Sequence, residues 1–229
     1  MQKVRIEIVS IDRLLMNAMG RDLLESLRTK TPKPKDRSQS LEDEAKPKFY
    51  RDEDGSFGIP TENLLACLAE AGRSVQLDGK TKVSTATSTK LYGFMSIEET
   101  FLKFDEHDLA EEPDLRRGRN PNGGEAVALV RPMFRSWKLT CTIEIDEQEI
   151  NPARVRELFR KAGRYIGLGD FRPSCKGPFG RFKVAVWEVL ETYDADDGMI
   201  VIEPEAEETA AGNGKGDAKA SEAAVAATA

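Results

Sequence analysis

Between residues 166 and 182 the chain reads IGLGDFRPSCKGPFGRF, which sets Gly167, Gly169, Gly177 and Gly180 among Arg172, Lys176, Phe179 and Arg181. Those residue types suit a phosphodiester chain. Glycines let a backbone approach a phosphate closely, cations neutralise it, and an aromatic ring stacks on an unpaired base. Two nucleotide-binding loops do not fit. A dinucleotide fingerprint needs a strand, then G-x-G-x-x-G, then a helix, whereas Gly167 and Gly169 follow a helical pattern and position 172 is Arg. The phosphate cradle G-x-x-x-x-G-K-[ST] fails too, because Arg181 and Phe182 follow Gly180. A plainer reading has a helix C-cap at Gly167 followed by turns set by Pro173 and Pro178. It leaves Arg172, Lys176, Phe179 and Arg181 without a role.

Other residues able to do chemistry stand alone. His107 is the only histidine and lies in the polar stretch FDEHDL, read as a loop. An imidazole there suits general base chemistry, but a solitary exposed histidine is far more often inert. The acids of RDEDG (51–55) lack a full calcium-loop pattern and read as a turn. Cys175 beside Lys176 has no histidine near it in sequence. Cys67, Cys141 and Cys175 are too far apart for a disulfide framework or a C-x-x-C metal site. Cys67 and Cys141 fall at positions expected to be buried. No metal, no cofactor and no catalysis are expected.

These residues must be positioned by a chain of 229 residues, 39% hydrophobic and 32% charged, which is the composition of a globular protein of ordinary core size. No apolar run reaches membrane-spanning length and the first residues lack a signal-peptide pattern, so a cytosolic protein with no membrane partner is expected. The net charge of −6 is unevenly spread. Glu203 to Ala229 holds six acids against two lysines and no aromatic residue, and Asp194, Asp196 and Asp197 precede it. Residues 203–229 are expected to be a disordered acidic and alanine-rich tail, and the rest of the chain is close to neutral. Nine Lys/Arg between Arg154 and Lys183, and six between Arg116 and Lys138, form two basic stripes. A solvated charged face explains such stripes equally well.

Alternation of Val4, Ile6 and Ile8 predicts a first strand, and Leu23, Leu24 and Leu27 predict a short helix over 20–28. Pro60 opens a helix with Thr61 as a candidate cap and Leu64, Leu65, Leu68 and Ala71 on one face. Residues 94–104 (FMSIEETFLKF) read as one strand of poor alternation, and Trp137 to Ile145 as the clearest strand. Asn151-Pro152 begins a helix, and RFKVAVWEVLE ends the order as a strand with apolar residues on both faces. Without the insertions the order is β-α-β-β-α-β, which predicts an α+β, ferredoxin-like (RRM-like) fold. Residues 1–202 are read as a single domain carrying long insertions. One is the lysine-rich loop 30–58, whose five lysines and Arg37 suit a finger touching a polyanion; another is the excursion 105–130.

The glycine-rich loop before a last strand resembles the signature of the repeat-associated RNA-binding (RAMP) superfamily of CRISPR systems. IPTENLLACLAEAGR (59–73) is similar to the helix of that superfamily's backbone subunits in Ile59, Pro60, Leu64 and Arg73; Glu62 and Asn63 stand where small hydroxyls are usual, and Ala66-Cys67 replaces a basic-glycine pair. VRIEIVSIDRLLM resembles the opening strand, with Asp12-Arg13 where proline is expected. About forty residues between Val4 and Trp187 carry the resemblance. It implies a noncatalytic subunit that oligomerises along a CRISPR guide RNA (crRNA) as backbone of a class 1 effector complex, an antiviral ribonucleoprotein. Its partners would be the guide RNA, target nucleic acid, other copies of itself and other effector subunits. Gly167, Gly169, Arg172, Lys176, Gly177, Phe179, Gly180 and Arg181 would lie against RNA, with Thr61 and Asn63 facing a phosphate. Residues 105–130 would be the protruding thumb, and Met95, Met133 or Trp187 would serve neighbouring copies. Some backbone subunits cut target RNA with a loop Asp and a metal ion, a role open to Asp36 or Asp43 without a motif to single either out. Two alternatives stay open. One is a phage or mobile-element accessory protein using the fold for protein or single-stranded DNA contacts; the other is an RNA-cleaving endoribonuclease of the superfamily using His107.

Overall fold

The computed structural model describes residues 1–31, 38–119 and 124–193 of the chain. Strand β1 (Gln2–Ser10) points Val4, Ile6 and Ile8 inward with no exposed surface, as its alternation requires. Strand β2 (Leu14–Leu15) follows, then helix α1 (Arg21–Thr29) and the short helix α2 (Leu41–Ala45). Strand β3 (Gly58–Pro60) runs directly into helix α3 (Thr61–Ala71), which buries Leu64, Cys67, Leu68 and Ala71. A small hairpin of β4 (Gln76–Asp78) and β5 (Thr81–Lys82) precedes α4 (Leu91–Phe94), β6 (Met95–Ile97) and β7 (Phe101–Leu109). Strands β8 (Asp114–Arg119) and β9 (Ala126–Arg131) form a second hairpin before the long strand β10 (Met133–Ile145). Helix α5 (Pro152–Lys161), capped by the Asn151 side chain on the Ala153 amide, ends in a π-helical turn at Ala162–Ile166; strand β11 (Phe182–Thr192) closes the order.

The main sheet has the order β11-β1-β10-β7-β3, with every neighbour antiparallel and with β2 and β6 pairing to the two ends of β10. Helices α3 and α5 lie against each other on one face, over a core that joins Val4, Ile6 and Ile8 to Leu139, Cys141 and Ile143 of β10 and to Leu68, Leu158 and Phe159. Burying an aliphatic side chain of this size contributes roughly 1.5–3 kcal/mol, so this face holds the sheet to the helices. The other face is polar: Arg5 pairs with Glu188, Lys138 with Glu7 and Glu106, and the Thr140 hydroxyl donates to Asp105. The fold is thus α+β, an antiparallel sheet with few helices.

Several expectations need correction. Residues 94–104 are two strands, not one. The chain jogs at Glu98–Thr100, where the Glu99 carboxylate accepts the Thr142 amide at 2.9 and 3.0 Å, so β6 and β7 pair with different stretches of β10. Thr61 does not cap its helix: Pro60 occupies the cap position, and the Thr61 hydroxyl donates to the Glu99 carbonyl. His107 lies on β7 rather than in a loop, and the excursion 105–130 begins inside that strand. In the lysine-rich stretch, Ala45 is buried, Lys46 pairs with Asp43, and Lys48 reaches both Glu44 and the Val130 carbonyl at 2.6 Å. That part packs against the body instead of projecting as a finger. Lys33, Lys35, Asp36 and Arg37, and the tail 203–229, lie outside the described residues.

Candidate nucleic-acid interface

The π-helical turn ends at Gly167, whose φ of 77° is open to glycine but strained for other residues. From there the loop folds on itself. Leu168 N–H donates to the Gly180 carbonyl at 2.9 Å, Gly177 N–H to the Arg172 carbonyl at 2.9 Å, and Gly180 N–H to the Arg13 carbonyl at 2.8 Å. A Cβ at Gly177 would sit 1.8 Å from the Phe171 carbonyl oxygen, and one at Gly180 1.9 Å from that of Leu168. These two glycines therefore serve the loop's own close packing. Two of the three non-glycine residues with positive φ among those described, Phe171 at 50° and Lys176 at 62°, fall in this loop. Such conformations each cost of order 1–3 kcal/mol, persist only where the surroundings impose them, and cluster at functional sites.

A cleft of about 260 Å³ opens where the loop meets α3. Asn63 and Cys67 of α3 line one side, Gly167, Gly169 and Arg172 the other, and Asn17 and Tyr50 complete the wall. Four of the residues singled out by type, namely Asn63, Gly167, Gly169 and Arg172, are thus brought together from positions about a hundred apart in sequence. Thr61, at 5% exposure, is not among them, and its side chain is committed to Glu99. Cys67 belongs to the wall as a protonated thiol: burial pushes its pKa up to about 12, and its Sγ donates to the Gly167 carbonyl at 3.3 Å.

The cations of the loop are not equivalent. Arg172 donates to the Gly169 carbonyl at 2.9 Å and to the Ser174 hydroxyl at 3.0 Å, with Glu70 of α3 at 4.0 Å. Arg181 is paired with Asp12, which raises its pKa, and Arg131 is paired with Asp170. Lys176 is exposed and has no acidic partner within 4 Å among the described residues. Phe179 and Phe171 have ring centroids 6.1 Å apart, and the Arg116 guanidinium of β8 lies over both, 4.6 Å from the Phe179 centroid and 5.6 Å from that of Phe171. The β8–β9 hairpin therefore leans on the glycine loop through one stacked arginine. Its tip, residues 120–123, lies outside the described residues.

The other candidates sit apart from this cleft. The exposed His107 ring lies at the margin of the aromatic cluster, edge-on to Phe57 at 5.3 Å and Phe134 at 5.6 Å. Asp52 and Asp54 both pair with Lys103, which holds their carboxyls below the ordinary range. Asp43 accepts from Ser40 and Lys46 at the start of α2. Cys175 is exposed, Met95 is buried, and Trp187 is half-buried over Phe159. Asn17, Tyr50 and Arg116 were not foreseen; the first two carry no motif, and Arg116 was visible only as part of a basic stripe.

No family model matches the chain, and no curated protein matches it. Among solved structures, a chain from the cryo-EM structure of Type III-B Cmr-beta bound to cognate target RNA aligns with a TM-score of 0.45 at 12% identity, covering 82% of this chain and 60% of that one. The chain thus spans about 60% of the length of that structure's chain.

Proposed function

We propose that the protein is a noncatalytic RNA-binding subunit that assembles along a guide RNA. The observation that carries this reading is the convergence of Asn63 from α3 with Gly167, Gly169 and Arg172 from the glycine loop on one polar cleft. A helix start facing a glycine-rich turn presents backbone and amide groups at close range, and the neighbouring Lys176, Arg116 and Phe179 add two cations and an aromatic ring. The ferredoxin-like reading of the fold draws its support from the strand order β11-β1-β10-β7, with α3 between β1 and β7 and α5 between β10 and β11. Assembly into copies draws on the exposed leucine face of α1.

The test is RNA retention and affinity. Protein purified without nuclease carries RNA that RNase removes and DNase does not. The triple variant R172Q/K176Q/R181Q binds that RNA more weakly, with a shallower dependence of affinity on salt. Equal affinity for matched single-stranded DNA would count against a dedicated RNA subunit, because only RNA has the 2′-hydroxyl. Affinity of the triple variant equal to that of the unaltered protein would overturn the reading.

A further inference from the structure

On the far side of α5 from the cleft, a groove of about 560 Å³ runs between that helix and β11. Arg156, Arg160 and Arg164 recur every four residues along one face of the helix and its π-helical extension, a stripe about 12 Å long at 1.5 Å per residue. Lys183 of β11 faces them across the groove, and Trp187 forms its apolar floor with the Arg156 guanidinium 5.2 Å from the ring. The charge here differs in kind from that of the glycine loop. None of Arg156, Arg160, Arg164 and Lys183 has an acidic partner within 4 Å among the described residues, and no acid lines the groove. Glu157, the acid on the same helix, is already held by Arg154 and Lys161 and is kept below the ordinary carboxylate range by them. Glu188 of β11 is held by Arg5, and Asp12 by Arg181.

Several like charges gathered without counter-charge are an arrangement whose repulsion is relieved by a polyanion. The groove also does not stand alone. A second groove of about 350 Å³, lined by Asp12, Arg13, Arg135 and Phe179, shares Ile11 and Arg181 with it. The two grooves therefore adjoin between α5 and the outer edge of the glycine loop, with the Arg181–Asp12 pair at their junction and Arg13 and Arg135 beyond it.

We propose that the α5–β11 groove binds the phosphodiester backbone of a nucleic-acid strand, extending past the glycine loop the path that a bound strand follows. This rests on the RNA-binding reading for the identity of the strand, but not for the existence of the site.

The test compares R160Q/R164Q with the unaltered full chain and with R160K/R164K, titrating a single-stranded RNA and a DNA of matched sequence across a range of salt. Arg156 is left intact because it packs on Trp187. Removing two phosphate contacts makes the slope of log affinity against log salt shallower by about 1.4 for a single strand, and the lysine pair restores it. If R160Q/R164Q keeps the full slope while the triple loop variant loses it, the groove proposal is wrong and the RNA reading stands. If the slope falls for DNA as much as for RNA, the groove is a phosphate site that does not distinguish the two sugars, and the groove proposal stands. If the double variant binds both strands normally but loses a polyglutamate peptide, the occupant is an acidic protein segment and the proposal is overturned.

Discussion

A methyl group at Gly180 would meet the Leu168 carbonyl oxygen at 1.9 Å on a backbone held at φ 76°. The residue also donates to Arg13 and accepts from Leu168, so the clash cannot be relieved without opening the hydrogen bonds that define the loop. Gly180→Ala is expected to destabilise the protein by at least about 1–3 kcal/mol, the cost of a strained backbone conformation alone, measured as a lowered denaturation midpoint. A midpoint equal to that of the unaltered protein would mean that the loop does not hold this shape in solution. The same residues show what glycine content conveys and what it does not. Four glycines among cations suggested close approach to a phosphate chain. The structure shows that the space beside all four is already taken, by the loop itself at Gly167, Gly177 and Gly180 and by Leu14 and Leu15 at Gly169, while Gly167 and Gly169 also line the cleft.

At the level of elements, Lys103 of β7 ties down the turn before β3 by pairing with both Asp52 and Asp54, and Asp54 also accepts the Ser56 amide at 2.8 Å. Both carboxyls have folded pKa values below the ordinary one, chiefly through the hydrogen bond from Lys103. Their stabilising contribution is therefore complete above the unfolded value of about 3.9 and is lost as pH falls through the folded values. Protection of the Ser56 amide from hydrogen exchange should fall on acidification below about pH 4, and Lys103→Met should remove most of that pH dependence by weakening the turn at neutral pH. Protection that follows the same pH course in both proteins would exclude the ion pairs as its cause. Elements with one buried face were legible in the sequence: β1 and β10 through alternation, α3 and α5 through the helical period. The β8–β9 hairpin was not, because the half-buried side of β8 carries Asp114, Arg116 and Gly118 while Leu115 is exposed, so the strand has no apolar period to show. The β6–β7 jog was hidden for a different reason: a long-range carboxylate, Glu99, replaces a ladder partner at Thr142. The cleft was legible only by residue type, since Asn17 and Tyr50 reach it through tertiary folding.

For the whole molecule, the leucines of α1 pose the clearest physical demand. Periodicity foretold that Leu23, Leu24 and Leu27 share a face, but not that they would be 52%, 52% and 58% exposed with Met19 beside them at 50%. A helix period reports that a face exists and says nothing about what covers it. If copies assemble through this face, L23E/L27E should leave the melting temperature nearly unchanged, because neither side chain is buried in the single chain, and should abolish concentration-dependent association in sedimentation velocity. Association that persists in the variant would place the contact elsewhere. No helix among the described residues is long and apolar enough to cross a membrane.

The sheet is assembled from partners far apart along the chain. Val4 pairs with Ile143 on one side and Val189 on the other, so the central strand β1 has neither neighbour until more than half the polypeptide exists. During synthesis the first residues emerge as an apolar strand that must wait for β10, and the edge it shares with β11 stays open longer still. Contacts of such separation slow folding, because the entropy of closing the chain is lost before any pairing returns it. The protein should therefore fold late and as a whole, and chains halted before residue 182 should be the ones that chaperones hold or proteases remove.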